Sequence, residues 1–393
     1  MAPPRTPQLP RRLRRPKPGS GDFEWDGADY RDGNRLTLYS RAENLYAAMA
    51  AAIEDARETV HLETYILGDD RVGRTFAELL SRRARAGTRV RLIYDAVGSI
   101  DLDPALLTRM RNAGVQALEY HPMAPWRPRW SWNRRDHRKI LVCDGRVGFA
   151  GGMNLCDEHL PAEEGGGGWQ DVHARVEGPA ACDLDGVFRE TWLRQTGRAF
   201  EPAGDLHARV GGARVKVAAN QEFLRRLEIR EAYVNALRAA RSEVLIANSY
   251  FLPGRRISRA LAAAARRGVS VRALVPGRLD SEAVRLAVRA RYGRLLSRGV
   301  RLFEWQGAMM HAKAVVVDRR WSAVGSYNLD YRSLRHNLEV NLHSLDADFA
   351  ASLAELFERA LSGAREITLE AWRRRPLADK ILERAASLFA YFF

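Results

Sequence analysis

The stretch HRKILVCDGRVGFAGGMN, residues 137–154, recurs as HAKAVVVDRRWSAVGSYN at residues 311–328, at a constant offset of 174. Each copy reads as a pair of short strands around a turn. Ile140–Cys143 and Ala314–Val317 are unbroken apolar runs of the kind that form buried strands, Asp144-Gly145 is a hairpin dipeptide, and Val147–Ala150 returns. Residues two apart on a strand face the same side, so His137 and Lys139 present imidazole and ammonium together, as do His311 and Lys313. The duplication continues upstream. AGTRVRLIYD (86–95) matches RGVSVRALVP (267–276) at an offset of 181, and AGVQALEY (113–120) matches RGVRLFEW (298–305) at 185. Alternating helical and strand-like runs, written twice, predict an α/β protein of two homologous halves, 20–200 and 201–370, joined by a short linker near 196–220.

Smaller signals fill in the pattern. Ser40 and Glu43 form a capping-box pattern ahead of a helical run at Leu45–Ile53, and Thr59–Leu67 and Arg89–Tyr94 read as strands. The offsets locate an insertion: Gly114 to His137 is 23 residues, Gly299 to His311 only 12, so the first half carries about 11 more. These fall in HPMAPWRPRWSWNRRD (121–136), where Trp126, Trp130 and Trp132 alternate with Arg127, Arg129, Arg134 and Arg135. Aromatic rings beside arginines suit a phosphate-rich lipid interface or stacked bases; a loop packed on its own domain is the plainer alternative. The run Gly165–Gly168 reads as a hinge near the site or as a simple linker.

Composition narrows the function. With 63 Lys+Arg against 48 Asp+Glu, the chain of 393 residues carries a net charge of +15, which points to a polyanionic partner: nucleic acid, an anionic membrane or a phosphorylated substrate. Residues 1–19 form a basic arm, with six prolines and six basic residues and no acid among the first 18. No uncharged apolar run is long enough for a transmembrane helix, and the N-terminus lacks the apolar core of a signal peptide. Three cysteines in no metal-type spacing argue against a disulfide framework. At the other end, Leu377, Ile381, Leu382, Ala385, Leu388, Phe389, Phe392 and Phe393 recur at helical spacing beside Lys380 and Arg384. Residues 371–393 thus read as a basic amphipathic helix, either an interfacial anchor or a helix docked on the body.

Two histidines and two lysines in one site suit substitution at a phosphodiester. One imidazole attacks phosphorus and the other protonates the leaving alcohol, while lysines and the amides of Asn154 and Asn328 hold the non-bridging oxygens. No metal motif is visible, so neither metal nor cofactor is expected. A third group should orient each imidazole, and Asp171 in WQDVH and Glu339 in RHNLEVN stand at similar distances after their motifs. The motif aspartates Asp144 and Asp318 sit at the turn, an odd number of residues from their histidines, so a structural role is at least as fitting for them.

The paired His-x-Lys-x4-Asp-x6-Gly-x-x-Asn motif resembles the phospholipase D superfamily, over most of residues 25–390. The accompanying strings ETYIL (63–67), YDAVGS (94–99), HRKILVCDG (137–145), GGMN (151–154), NSYFLPG (248–254) and GSYNLDYRS (325–333) look most like the bacterial cardiolipin synthases, in a short subtype without transmembrane helices. The resemblance implies two phospholipase D-like αβα domains forming one pseudo-symmetric active site, and phosphatidyl transfer through a phosphohistidine to phosphatidylglycerol with release of glycerol. It makes His137 and His311 nucleophile and general acid, His137 being the preferred nucleophile although symmetric motifs do not decide it. Lys139, Lys313, Asn154 and Asn328 would bind phosphate, with Asp144 and Asp318 completing the motifs. Gly152 stands where the second half has Ser326, so the two phosphate-binding half-sites are not equivalent. Anionic phospholipid and the cytoplasmic face of a bacterial inner membrane are the partners expected, with Trp126, Arg127, Arg129, Trp130, Trp132, Phe389, Phe392 and Phe393 as membrane contacts; nucleic acid is not expected. A hydrolase or nuclease of the same superfamily is the alternative.

Overall fold

The computed structural model describes residues 29–203, 208–221, 227–279 and 281–388. The basic arm and Phe389, Phe392 and Phe393 lie outside the described residues. The first half runs β1 (Arg31–Tyr39), α1 (Ala42–Asp55), β2 (Thr59–Thr64), α2 (Arg71–Arg85), β3 (Arg89–Asp95), α3 (Pro104–Asn112), β4 (Gln116–Tyr120), β5 (Ile140–Cys143), β6 (Val147–Gly151), β7 (His173–Glu177) and α4 (Pro179–Thr196). The second repeats it with β8 (Ala213–Asn220), α5 (Glu228–Ala239), β9 (Glu243–Asn248), α6 (Arg255–Arg266), β10 (Ser270–Pro276), α7 (Glu282–Leu296), β11 (Arg301–Trp305), β12 (Lys313–Val317), β13 (Trp321–Gly325), a short added α8 (Tyr331–Arg335), β14 (Glu339–Ser344) and α9 (Ala347–Ser362). Then come β15 (Ala364–Ile367), α10 (Leu369–Arg374) and α11 (Leu377–Leu388).

Strand order makes the repeat explicit. Fifteen strands run β4-β3-β2-β5-β6-β7-β1-β8-β14-β13-β12-β9-β10-β11-β15, so the first seven are mirrored by the next seven and β15 is an addition at one edge. In each half three strands are parallel and joined by helices, and the motif hairpin continues antiparallel (β2 to β5, β9 to β12). The halves join where β1 pairs antiparallel with β8.

Period-two burial explains how the halves meet. On β5, Leu141 and Cys143 pack with α1–α3, while Ile140 and Val142 face the other way. On β12, Val315 and Val317 pack with α5–α7, while Ala314 and Val316 face the other way. These second faces share one core, closed by Leu184 of α4 and by Leu353 and Phe357 of α9. The two motif hairpins are thereby clamped against each other by buried apolar surface, worth about 25 cal/mol per Å² removed from water.

Some local expectations are corrected. The capping box at Ser40 and Glu43 does not form: the cap residue of α1 is Arg41, with no side-chain cap bond, and its guanidinium takes Glu43 at 2.5 Å instead. The strand expected over Thr59–Leu67 stops at Thr64, where the chain turns to line the site. Among Gly165–Gly168, Gly166 N–H donates to Pro161 O and Gly168 N–H to Leu160 O. Helix α11 docks on the body through its polar face. Glu383, 1% exposed, bonds Arg375 at 2.8 Å and Arg289 at 3.3 Å, while Leu377, Ile381, Leu382 and Leu388 point to solvent. Among the described residues no helix is long and apolar enough to cross a membrane.

Candidate active site

Two short crossings between the halves build the site. His137 N–H donates to Leu338 O at 3.1 Å and Leu338 N–H to Arg135 O at 2.9 Å; His311 N–H donates to Gln170 O at 2.7 Å and Gln170 N–H to Met309 O at 2.8 Å. Each crossing sets a histidine beside the acid that follows its bridge partner. His137 Nδ1 meets Glu339 Oε2 at 3.2 Å, and His311 Nδ1 meets Asp171 Oδ2 at 2.7 Å. The sequence nominates both acids, but the pairing is crossed: each carboxylate serves the histidine of the opposite half. An ionised carboxylate only accepts, so Nδ1 of each imidazole carries the proton and Nε2 keeps a lone pair. Both histidines, both lysines, Asn154, Asn328, Asp171 and Glu339 are buried. Lys139 and Lys313 each donate to the carbonyl of the histidine two residues earlier, which fixes ammonium beside imidazole.

Burial and like charge set the protonation. His137 is pushed down to about 4 by burial and then by Lys139, against the pull of Glu339. Burial, followed by Lys313 and Lys139, holds His311 well below the ordinary imidazole range. Lys139 comes down to about 7, through burial and then Lys313. All three shifts begin with burial and deepen through neighbouring positive charge, the part that a bound anion would offset.

The two carboxylates are not held alike. Glu339 also accepts from Ser326 Oγ, from Ser333 Oγ at 2.6 Å and from Asn337 Nδ2 at 3.4 Å. Burial would raise it, yet His137 and the two hydroxyls outweigh burial and keep it below its ordinary value. Asp171 accepts otherwise from Val172 N–H at 2.7 Å, and burial wins there, holding it above its ordinary value against Lys313 and His159. Gly152 has a steric reason: a Cβ at that position would stand 2.2 Å from Asp171 Oδ1. The Asn154 side chain accepts from Ile66 N–H at 3.3 Å and that of Asn328 from Ser249 Oγ at 2.8 Å, so both amides are tied to the loops after β2 and β9.

Asp144 and Asp318 stand apart from this cluster. Both have positive φ at the far ends of β5 and β12, 51° and 52°. Asp144 accepts from the backbone N–H groups of Arg57, Glu58 and Thr59, each at 2.8 Å, and Asp318 from those of Arg241, Ser242 and Glu243. Each aspartate pins the start of the neighbouring strand, β2 or β9.

Three residues not singled out by the sequence reading also line the site. Tyr65 packs edge-on against His137 at 5.1 Å between centroids, and the Lys139 ammonium lies 5.1 Å from its ring. Trp169 and His159 flank His311 at 5.4 and 5.7 Å. Aligning the halves on Asn154 and Asn328 puts His159 opposite Ser333, the only sequence signal that could have found it. Among the described residues, His159, Asp171 and His311 form the one trio whose ligating atoms, within 4.8 Å of one another, could reach a metal ion. Two of the three are already bonded to each other, and Lys139 and Lys313 oppose a cation there. In the insertion loop Trp126 and Trp132 are exposed, Trp130 donates to Met123 O at 3.0 Å, and Arg127 pairs with Glu119 at 2.5 Å.

Comparison with known proteins agrees with this geometry. The family model described as "Cardiolipin synthase, PLD-like domain" matches residues 49–163 and 233–361. The chain is similar to a cardiolipin synthase of Geobacillus kaustophilus (strain HTA426), 33% identical over 361 residues, covering 91% of this chain and 72% of that protein. It is also similar to cardiolipin synthase A of Pseudomonas putida, 34% identical over 359 residues, covering 91% and 74%. Among solved structures, phosphatidylserine synthase of Haemophilus influenzae Rd KW20 superposes with a TM-score of 0.68 at 12% identity, over 91% of this chain and 95% of that one, a likeness of fold.

Proposed function

The chain belongs to the cardiolipin synthase family of phospholipase D-like proteins, and from that premise we propose that it moves a phosphatidyl group through a phosphohistidine to the hydroxyl of phosphatidylglycerol, releasing glycerol. The observation that carries this reading is the crossed pairing of two buried histidines with carboxylates of the opposite halves, with a lysine beside each.

In the first step Nε2 of His137 attacks phosphorus, the bond to the glycerol oxygen breaks, and His311 gives that oxygen its proton. In the second, His311 takes the proton of the acceptor hydroxyl, whose oxygen attacks phosphorus and frees His137. The division rests on the acids, since burial holds both imidazoles low. A histidine at about 4 is neutral and nucleophilic at neutral pH, and Glu339, held ionised by its donors, stabilises the imidazolium character that develops on His137. His311 must carry a proton to act as an acid, and the negative charge of a bound phosphodiester favours that form. Lys139, Lys313, Asn154 and Asn328 would hold the non-bridging oxygens, and Asp144 and Asp318 would serve the scaffold. Peripheral binding at an anionic membrane is supported by exposed Trp126 and Trp132 and by the outward leucines of α11 beside Arg373, Arg374, Lys380 and Arg384.

The test is mass spectrometry of the products formed by purified protein from phosphatidylglycerol vesicles in EDTA. Cardiolipin and free glycerol in equal amounts are expected. Phosphatidic acid alone would make the protein a hydrolase, and no lipid product alongside DNA degradation would make it a nuclease.

A further inference from the structure

His159 occupies the place in the first half that Ser333 occupies in the second, five residues after the motif asparagine. Ser333 donates to Glu339 at 2.6 Å. His159 is 3% exposed, its Nε2 accepts from Asn154 N–H at 3.1 Å, and its Nδ1 has no hydrogen-bond partner. Because Nε2 is committed as an acceptor, Nδ1 must carry the proton, which leaves one buried N–H to spare. A ring nitrogen of His159 lies within 4.8 Å of both an Asp171 oxygen and a His311 nitrogen. The sizes are reciprocal: a long donor stands by the shorter acid, His159 by Asp171, and a short donor by the longer acid, Ser333 by Glu339.

We propose that His159 is a positioning residue of the second half-site, supplying Asp171 with the side-chain donor that Glu339 receives from Ser333 and thereby setting the orientation and proton affinity of His311. The donation is completed by a small movement when substrate fills the site, since a buried N–H without a partner, on a ring that lies near a carboxylate, gains a charge-assisted bond by closing the gap. The inference rests on the two-histidine reading of the site, and it makes His159 act through Asp171 without touching the reacting phosphorus. Burial keeps His159 neutral, at about 3, so it acts as a fixed hydrogen-bond donor and not as a second base.

Two near-isosteric variants separate this role from a structural one. His159→Asn keeps an N–H near the Nδ1 position and gives up the contact to the Asn154 amide; His159→Gln keeps an acceptor for that amide and gives up the Nδ1 donor. With bis(4-nitrophenyl) phosphate, which needs the two histidines but no lipid chemistry, His159→Gln should lose about tenfold in kcat, the size of one good hydrogen bond, at little change in KM. Its acid limb should move to higher pH, because an Asp171 without its donor binds a proton more readily, while His159→Asn stays near the wild type in both respects. The reverse order, or equal losses in both variants with no movement of the limb, would overturn the proposal in favour of a scaffold role. If wild-type protein cleaves this diester yet forms no cardiolipin from phosphatidylglycerol, the lipid reading fails and the test of His159 still stands.

Discussion

The two half-sites share a backbone and differ in how they hold their acids. At His137 the acid is Glu339, supported by Ser326 and Ser333. At His311 it is Asp171, with Gly152 and His159 in the places of those serines. Behind the strands the contrast continues. Arg138 is fully buried, bonding Thr191 Oγ1 at 2.8 Å, Asn220 O at 2.5 Å and Glu339 O at 3.2 Å. Ala312, its counterpart, leaves an apolar hollow lined by Met310, Ala314, Leu353 and Phe357. Duplication supplies a symmetric frame, and the side chains around each carboxylate make the two half-sites unequal, which is the asymmetry that the proposed division of attack and proton transfer draws on.

The sharpest break of the comparison is to remove either imidazole. His137→Ala and His311→Ala should each lower phosphatidyl transfer by about 10³-fold or more while the thermal unfolding midpoint stays near that of the wild type, since the first loses the attack and the second the proton transfer. Substantial transfer by either variant would dissolve the division of labour. Next comes exchange of the small residues. Gly152→Ser places a Cβ against the Asp171 carboxylate and should cost about tenfold or more in kcat, as misplaced acid–base groups do, whereas Ser326→Gly removes one donor of several from Glu339 and should cost less. Equal effects would mean that the halves tolerate each other's residues.

The pH profiles sharpen it further. Lys139 is charged below about 7 and neutral above, so kcat/KM should fall as pH rises through 7, and Lys139→Arg, always charged, should move that limb upward at some cost in rate. Folding responds in the opposite direction. His137 at about 4 and His159, His173 and His343 at about 3 bind protons in the folded state only well below the unfolded value near 6.5. The unfolded chain therefore holds more protons between about pH 6 and 4, and stability should fall on acidification by roughly 1.4 kcal/mol per pH unit for each such histidine. Denaturant titration at pH 7 and pH 5 measures the sum. The smallest expected effect on chemistry is from deleting 377–393, which should weaken flotation with anionic liposomes and leave cleavage of detergent-dispersed lipid nearly intact; unchanged flotation would remove α11 from the membrane surface.

The sequence carried the frame of this site because strand period and repeat register are local. His137 and Lys139 fall on one face because they are two apart, and the Asp144 turn is fixed by its positive φ. The crossed acids were harder. Asp171 and Glu339 could be nominated from spacing, but which histidine each serves depends on the Asp136–Leu338 and Gln170–Met310 bridges, a tertiary register that no local pattern encodes. The repeat register sets His159 opposite Ser333, but its nearness to Asp171 is tertiary and no local pattern encodes it. The join of β1 to β8 was also beyond local patterning, and the capping box failed because Arg41 captured Glu43.

The most direct test is to find where the phosphatidyl group sits during turnover. Protein mixed rapidly with headgroup-labelled and acyl-labelled phosphatidylglycerol, quenched in base to preserve a P–N bond and digested, should yield an acyl-labelled peptide modified on His137, free of headgroup label and absent from His137→Ala. Modification on His311 would reverse the assignment of the two half-sites. No covalent intermediate under rapid turnover would contradict the two-step mechanism itself.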